Sequence, residues 1–486
     1  MNFALSALTA ILLILSFPAV NWTWLAPVAL TPLLIACARE SAWRRRFVCG
    51  WLAGFLFWFG VCNWIQFVLE VHGGMGRWGG WGTFVLFSIL KGLHCAIFAA
   101  LAGVLIRTPW AIPAAAALWA GIERTHGPGG FAWLDLGNAG IDMPLLLRLV
   151  PFTGVYGLSF VFAMVACAVA LLVLRRPLRQ LTPLAALLLL FLVPKPSIDS
   201  NGSGQALLVQ PNLDTEMQWT QTSLLRVERD LALLSRPSGS LETGPRFIIW
   251  PEAPAPFYPG EPAFRNYAES IARANRAYFL FGGVAYNSAN APLNSAFLLD
   301  PSGSMIARYD KIKLVPFGEY VPDIFWWVNR ITKEAGDFAP GERVVDFPVP
   351  GHRIGAFICY ESAFPDLVRQ FAADGAELLV NLSNDGYFGH TAAREQHLEL
   401  VRMRAAENRR WVLRATNDGI TATVDPSGRV VYRAAPYQAL ASEVTYNYAS
   451  TTTLYTRYGD WFAWGCLIVA IVLAVFHAQK KQPARA

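Results

Sequence analysis

The stretch Gly355-Ala356-Phe357-Ile358-Cys359-Tyr360-Glu361-Ser362 predicts a buried strand that runs into a tight bend, with a thiol at the bend. The residues from Ile354 to Ile358 are nearly all apolar, which is typical of a strand covered on both faces. The other six cysteines of the chain all lie in apolar segments outside this region: Cys37, Cys49, Cys62, Cys95, Cys167 and Cys466. Because no second cysteine lies in its own domain, Cys359 is either a buried structural residue or a nucleophile.

The composition around this stretch is that of a membrane protein with a polar domain. Of the 486 residues, 54% are hydrophobic and 15% are charged, and the mean hydropathy is +0.35. With this composition, the chain is too apolar for a soluble enzyme and too charged for a pure membrane bundle. The 18 tryptophans suit a membrane–water interface. The net charge of +6 is modest, and its distribution predicts no nucleic-acid partner.

Apolar runs predict about eight membrane spans, seven within residues 1–194 and one at 461–478. The first run, 1–20, has no basic residue before it, so we expect a retained helix rather than a signal peptide. The other runs are 24–38, 47–69, 81–106, 110–121, 155–174, 178–193 and 461–476. The second, fifth and seventh runs are shorter than the ~20 residues that a span needs.

The basic residues predict how these spans are oriented. With eight spans and both termini in the cytoplasm, each large basic cluster lies on the cytoplasmic side, as the positive-inside rule requires. These residues are Arg39, Arg44, Arg45, Arg46, Arg107, Arg175, Arg176, Arg179, Lys480, Lys481 and Arg485. The same orientation places residues 205–450 outside the cytoplasm. We therefore expect a multi-pass protein with its polar domain on the periplasmic side.

The segment 205–450 is long enough for one globular domain and alternates strands with helices. The predicted strands are 206–210, 247–250, 278–282, 295–300, 305–309, 354–359 and 377–381, and the predicted helices are 222–236, 262–276, 366–373 and 390–410. Two Asp-Pro-Ser-Gly turns, at 300–303 and 425–428, predict hairpins. The pattern is that of an α/β domain with mixed sheets.

Three chemically active side chains follow predicted strands of this domain. Glu252 follows the strand at 247–250, Lys311 follows the strand at 305–309, and Cys359 ends the strand described first. Because strand ends in an α/β domain converge on one edge, we expect the three to meet. Thiol acyl chemistry needs a base, a nucleophile and positive charge for an oxyanion, which these residues supply. The backbone N–H of Tyr360 is a second candidate oxyanion donor.

Each residue also has an interpretation without catalysis. Glu252 is a candidate cap for the following loop, and Lys311 is a candidate solvated hairpin residue with Lys313 equally placed. His390 and His397 lie seven residues apart, but no cysteine or paired carboxylate accompanies them, so we expect no metal. A Cys-His pair using His352 or His390 is a further alternative.

The order Trp-Pro-Glu252, Tyr-Asp-Lys311 and Cys359-Tyr-Glu resembles the Glu-Lys-Cys triad of the nitrilase (carbon–nitrogen hydrolase) superfamily. Within that superfamily, Tyr309-Asp-Lys-Ile-Lys-Leu-Val-Pro-Phe-Gly-Glu-Tyr-Val-Pro322 is similar to a motif of bacterial apolipoprotein N-acyltransferases. The stretch Asn381-Leu-Ser-Asn-Asp-Gly-Tyr-Phe-Gly389 and the layout of helices, nitrilase-like domain and final helix also resemble that family. The resemblance implies an αββα sandwich.

The resemblance also implies an activity. Cys359 would take an acyl chain from a phospholipid as a thioester and pass it to the N-terminal α-amine of a diacylglyceryl-cysteine on an apolipoprotein. Glu252 would be the base and Lys311 the oxyanion stabiliser. The enzyme would act without a cofactor as a monomer in the bacterial inner membrane.

Further residues receive supporting roles from the same resemblance. Glu319 would orient Lys311 or the substrate, while Tyr360 and Glu361 would shape the site beside the nucleophile. The residues that would contact lipid or substrate are Trp219, Phe325, Trp326, Trp327, Tyr387 and Phe388. The apolar run Phe325–Trp327 could equally be core, or a loop that enters the membrane interface.

Two competing functions remain. A membrane-tethered nitrilase-type amidase or hydrolase would pass the acyl group to water, and the triad alone does not distinguish it from a transferase. A non-catalytic membrane scaffold is the other alternative, and an intact triad argues against it.

Overall fold

The computed structural model describes residues 1–127, 131–194, 200–237, 246–320 and 338–479. The chain divides into two compact units. The helical unit comprises Met1–Phe67, Arg77–Pro196 and Tyr458–Ala486, and the α/β unit comprises Val68–Gly76 and Ser197–Arg457. The α/β unit is therefore largely one insertion into the sequence of the helical unit.

Helices account for nearly all of the described part of the first unit. They are α1 (Asn2–Leu15), α2 (Thr31–Arg39), α3 (Trp43–Val61), α4 (Trp64–Phe67), α5 (Gly76–Leu105), α6 (Ala111–Arg124), α7 (Val150–Thr153) and α8 (Val155–Val173). A π-helical turn, Val68–His72, follows α4, and 3-10 segments cover Thr23–Val28 and Leu178–Phe191. The last helices of the chain are α13 (Leu454–Tyr458) and α14 (Trp461–Gln479).

Among the described residues, two helices are long and apolar enough to cross a membrane, α5 and α8. The pair Trp43–Val61 and Trp64–His72, bent by 60°, adds a third if it is one span. The other apolar helices have 10–17 residues. A 14-residue helix is roughly 21 Å long, which is less than the hydrocarbon core of about 30 Å. The eight predicted spans therefore stay a prediction.

Helix α14 packs closely against α6, far earlier in the chain. A Cβ atom on Gly121 would lie 2.6 Å from the Cα atom of Leu467, so only glycine permits this approach. At the end of α6, Arg124 forms an ion pair with Asp460, and both side chains are buried. The indole N–H of Trp461 donates to the carbonyl of Phe152 at 3.0 Å. The final helix is thus an integral part of the helical unit.

The described part of the α/β unit contains two six-stranded mixed sheets. The strands of the first are β1 (Ser203–Gln210), β2 (Arg246–Ile249), β3 (Tyr278–Tyr286), β4 (Pro292–Leu299), β5 (Met305–Asp310) and β12 (Leu440–Asn447). Those of the second are β6 (Asp346–Val349), β7 (His352–Ile358), β8 (Leu378–Ser383), β9 (Trp411–Thr416), β10 (Ala422–Val424) and β11 (Val430–Arg433). Their orders are β12-β1-β2-β3-β4-β5 and β11-β10-β9-β8-β7-β6. Each sheet has a parallel centre and antiparallel edges.

The two sheets pack face to face, with helices on their outer faces. Helices α9 (Gln221–Leu234) and α10 (Pro262–Asn275) cover the first sheet, because their apolar faces join its core through residues such as Leu231 and Phe264. Helices α11 (Pro365–Ala373) and α12 (Ala393–Asn408) pack against β7 and β9 of the second. The result is the four-layer αββα arrangement that the family resemblance implied.

Several strands were not predicted from the sequence, namely β6, β9 and β12. Strand β9 is fully paired with β8 in parallel, but Arg414 interrupts its apolar pattern. That guanidinium is completely buried, which composition alone does not anticipate. Strand β7 ends at Ile358, so Cys359 lies one residue beyond the strand and not in it. Both hairpins formed by Asp-Pro-Ser-Gly turns are confirmed.

Candidate active site

The structure places the three predicted side chains just beyond the ends of β2, β5 and β7. Glu252 follows β2, whose last pairing with β3 is extended by the Trp250 N–H donating to the Leu280 carbonyl at 2.9 Å. Lys311 follows β5 and donates its backbone N–H to the Asn294 carbonyl at 2.8 Å. Cys359 follows β7 and opens a 3-10 turn. Regular strand pairing thus fixes the backbone from which each side chain extends.

Lys311 lies between two carboxylates. Its Nζ is 3.0 Å from Glu252 Oε1 and 2.9 Å from Glu319 Oε1, and its side chain is 1% exposed. Burial acts to lower the pKa of Lys311, but Glu252 and Glu319 outweigh it and raise that pKa well above its usual value. The lysine is therefore an ammonium ion at neutral pH, with its charge held at a fixed point.

Asn294, on β4, joins the same two carboxylates from the other side. Its Nδ2 donates to Glu252 Oε1 at 2.7 Å and to Glu319 Oε1 at 2.6 Å. Sequence reasoning missed this residue. The available signal was a polar pair, Asn294-Ser295, inside a strand that is otherwise apolar.

Backbone amides hold the remaining carboxylate oxygens. The N–H of Asn384 donates to Glu252 Oε2 at 3.0 Å, and the N–H of Val315 donates to Glu319 Oε2 at 2.8 Å. Each carboxylate therefore accepts a hydrogen bond from Lys311 with one oxygen and a hydrogen bond from a loop N–H with the other. Besides burial, the Glu252 charge also acts on the Cys359 thiol and raises its pKa.

Cys359 is buried, and its backbone adopts a left-handed conformation with φ of 49°. This conformation is unfavourable for a residue with a side chain, and such strain is concentrated at functional sites. Burial, reinforced by Glu252, raises the pKa of the Cys359 thiol, while Lys311 acts against the rise. The Ser383 hydroxyl also acts to lower that pKa. The thiol is thus protonated at neutral pH, so a base would have to take its proton before it could act as a nucleophile.

Glu361 connects the ends of β5 and β7. Its Oε1 accepts from the Tyr309 hydroxyl and the Ile312 N–H, each at 2.7 Å. Its Oε2 accepts from the Ile358 N–H, also at 2.7 Å. Burial raises the pKa of this carboxyl. Glu361 therefore ties the Lys311 loop to the Cys359 turn, while the adjacent Tyr360 packs its ring against Phe364.

The histidines considered from the sequence do not form a metal site. The His390 ring stacks on Tyr437 with centroids 4.2 Å apart, whereas His397 is fully buried and bonded to Asp385. Over the described ranges, no group of three histidine, cysteine, aspartate or glutamate residues could hold a metal ion. His352 stacks on Tyr448 at the start of β7, the opposite end from Cys359. The alternative Cys-His pairing is therefore wrong for His352.

The predicted substrate-binding residues differ in how exposed their side chains are, and three of them lie outside the described residues. Tyr387 is 47% exposed, and burial together with the Glu252 charge raises its pKa to about 12. Phe388 is buried against His397. Trp219 is 38% exposed in the segment before α9. Phe325, Trp326 and Trp327 lie outside the described residues.

Comparison with known proteins gives two family matches. Residues 211–447 match the carbon-nitrogen hydrolase model, and residues 9–168 match the model of the apolipoprotein N-acyltransferase N-terminal domain. The apolipoprotein N-acyltransferase of Geobacter metallireducens is 32% identical over 99% of this chain and 96% of the relative. That of Ralstonia nicotianae is 32% identical over 97% and 92%.

A solved structure, an amidase from Nesterenkonia sp. AN1, is also similar at 19% identity. The match has a TM-score of 0.37 and covers 52% of this chain and 92% of the amidase. A score of this size is too low to establish a shared fold.

Proposed function

The chain belongs to the apolipoprotein N-acyltransferase family, and from this premise we propose that Cys359 carries the acyl group during the N-acylation of apolipoproteins. The carbon-nitrogen hydrolase match over the α/β unit is consistent with cysteine-based catalysis. The observation that carries the proposal is the buried ammonium of Lys311, bonded to Glu252 and acting on the Cys359 thiol. A base, a nucleophile and a fixed positive charge thus share one edge of the sandwich.

In the first half-reaction, Glu252 takes the proton from the Cys359 thiol. The thiolate attacks the ester carbonyl of a phospholipid, and the new C–S bond leaves negative charge on the carbonyl oxygen. Lys311 and the backbone N–H of Tyr360 stabilise that oxyanion. The ester C–O bond then breaks, and the leaving oxygen takes the proton from Glu252. The products are a Cys359 thioester and a lyso-phospholipid.

In the second half-reaction, the α-amine of a diacylglyceryl-cysteine attacks the thioester carbon. Glu252 takes a proton from the attacking nitrogen, the C–S bond breaks, and the proton passes to the departing sulfur. The product is an amide at the N-terminus of the apolipoprotein, and the enzyme is returned to its starting state. Glu319 and Asn294 keep Lys311 and Glu252 in place through both steps.

The direct test uses purified protein in detergent and a phospholipid with a labelled acyl chain. Without acceptor, we expect hydroxylamine-labile label on Cys359, detected by mass, and no label in Cys359→Ala. Addition of a diacylated lipopeptide transfers the label to the peptide. Release of free fatty acid at one rate with or without lipopeptide supports the hydrolase instead. No adduct and no turnover would leave the scaffold alternative.

The proposal includes an inner-membrane topology of about eight spans, with the α/β unit in the periplasm. The proposed oligomeric state is a monomer. The long helices α5 and α8 support a membrane location. The basic clusters support the orientation, because each follows an even-numbered predicted span. The short helices α1, α2 and α6 are counted as spans, so neighbouring turns must complete the distance across the bilayer.

A further inference from the structure

A buried network of charged side chains lies behind the nucleophile. Asp385, His397 and Arg414 are each 0% exposed. Arg414 Nη2 donates to both carboxylate oxygens of Asp385, at 2.9 and 2.7 Å, and Nη1 donates to Asn381. Burial acts to raise the pKa of Asp385, but Arg414 and His397 hold it far below its usual range. The network is thus an ionised, fixed anchor inside the second sheet.

His397 connects this anchor to Cys359. Its Nδ1 lies 3.0 Å from Asp385 Oδ1 and 3.2 Å from Arg414 Nη2. Its Nε2 lies 3.0 Å from the carbonyl oxygen of Cys359. Because a backbone carbonyl only accepts hydrogen bonds, Nε2 carries a proton and donates it. The Phe388 ring packs edge-on against the imidazole, with centroids 5.7 Å apart, and restricts its rotation.

This hydrogen bond fixes a whole peptide plane. The Cys359–Tyr360 peptide bond is trans, and in a planar trans peptide the C=O and N–H groups point in opposite directions. A carbonyl held by His397 therefore directs the Tyr360 N–H away from His397. The left-handed φ of Cys359 is unfavourable on its own, so the plane needs an external bond to keep this orientation.

We propose that His397 is a positioning residue that holds the Cys359 carbonyl so that the Tyr360 N–H stays in the oxyanion hole. The inference rests on the proposed role of Cys359 as the nucleophile. The anchor explains why the histidine is buried with two charged residues rather than exposed at the site. It also gives a role to a residue for which the sequence predicted none.

The test compares two reactions of the same thiol. Acylation by a labelled phospholipid passes through an oxyanion, whereas alkylation by iodoacetamide attacks a saturated carbon and forms none. In His397→Leu, we expect acylation to be about 100-fold slower, the size of effect of losing one oxyanion donor. Alkylation stays within about twofold of wild type, since the thiol and Glu252 are unchanged. His397→Gln retains a hydrogen-bond donor, so we expect its acylation to be at least about tenfold faster than that of His397→Leu.

His352→Leu is the matched control, because His352 stacks on Tyr448 at the end of β7 opposite to Cys359. If the leucine variant does not fold, His397→Gln is compared with His397→Asn, whose shorter amide does not reach the carbonyl. Equal loss of acylation and alkylation, or no loss of either, overturns the inference. Absence of a thioester in wild-type protein overturns the proposed function itself, so the two failures are distinguishable.

Discussion

At the scale of single residues, the site depends on charges that are stable only together. Lys311 is almost completely buried, and two carboxylates keep it protonated. The Cys359 thiol experiences the opposite effect, because burial and Glu252 keep it neutral. A neutral thiol beside a fixed ammonium avoids a buried thiolate, and in the proposed mechanism the negative charge forms only when an acyl group is attacked.

The raised pKa of Cys359 predicts how its reactivity varies with pH. Since a raised pKa keeps the thiolate fraction small, that fraction grows about tenfold per pH unit below the pKa. We expect the rate of alkylation of Cys359 by iodoacetamide to rise continuously from pH 7 to pH 9. Labelling at each pH is quantified by mass, with Cys359→Ser as the blank. A plateau near pH 7 would instead indicate a thiolate already paired with Lys311.

Asn294 offers a test of how precisely the carboxylates must be held. In Asn294→Ala, Glu252 and Glu319 each lose a hydrogen bond, worth about 1.5–3 kcal/mol to a charged group. We expect the rate constant of acylation to fall about 10- to 100-fold with little change in the concentration of phospholipid that half-saturates the enzyme. Asn275→Ala is the control. It loses a hydrogen bond from the Asn275 side-chain amide to the Ile271 carbonyl at the end of α10, and it should keep full activity.

At the scale of secondary-structure elements, the sequence predicted the strands that lead to the candidate site, because strand ends are set by local apolar runs. The strands that carry Glu252, Lys311 and Cys359 were all predicted close to their observed bounds. What the sequence did not predict is the support for them. Arg414 and Asn294 lie inside strands, and a polar residue in a strand gives no sign of which distant carboxylate it will bond.

The close approach of β3 to the loop after β2 gives an element-scale prediction. A Cβ atom on Gly282 would lie 2.5 Å from the Ala253 nitrogen and 2.8 Å from the Glu252 Cα. Gly282→Ala must therefore displace Glu252, and overpacking of this kind costs about 1–3 kcal/mol. We expect a lower Tm and slower acylation of Cys359, measured by thermal melting and the labelled-phospholipid assay.

Gly260→Ala is the control for that substitution, since nothing lies within 4 Å of its added Cβ. Its Tm and acylation rate should match those of wild type. A Gly282→Ala variant that is as active as the control would mean that the Glu252 backbone tolerates displacement.

At the scale of the whole molecule, composition and basic clusters gave the two-part organisation, and the structure refines it. The segment Val68–Gly76 groups with the α/β unit, where the His72 ring lies 4.8 Å from that of Tyr387. No local pattern indicates this grouping, because 47–69 is largely apolar and predicts only a span. The number of spans is likewise not fixed by hydropathy, since helices such as α6 are shorter than the bilayer.

The proposed topology predicts which surface positions are accessible from outside the inner membrane. Arg226 on α9 has a 77% exposed side chain, and Arg44 lies in the first basic cluster. The test requires a parent protein whose native cysteines are not labelled by a membrane-impermeant maleimide. In that parent, Arg226→Cys should react with the maleimide in intact spheroplasts. Arg44→Cys should react only after permeabilisation. Labelling of Arg44→Cys in intact spheroplasts, with Arg226→Cys protected, would reverse the orientation.

The packing of α14 against α6 has a consequence for how the chain is made. The indole of Trp461 and its acceptor Phe152 are 309 positions apart, and a ribosome adds about 5–20 residues per second. Roughly 15–60 s therefore pass between synthesis of the two partners, during which the whole α/β unit emerges. Over that interval neither the Arg124–Asp460 ion pair nor the close approach of Leu467 to Gly121 has formed. Helix α14 therefore packs against α6 only after residues 197–457 of the α/β unit have been synthesised.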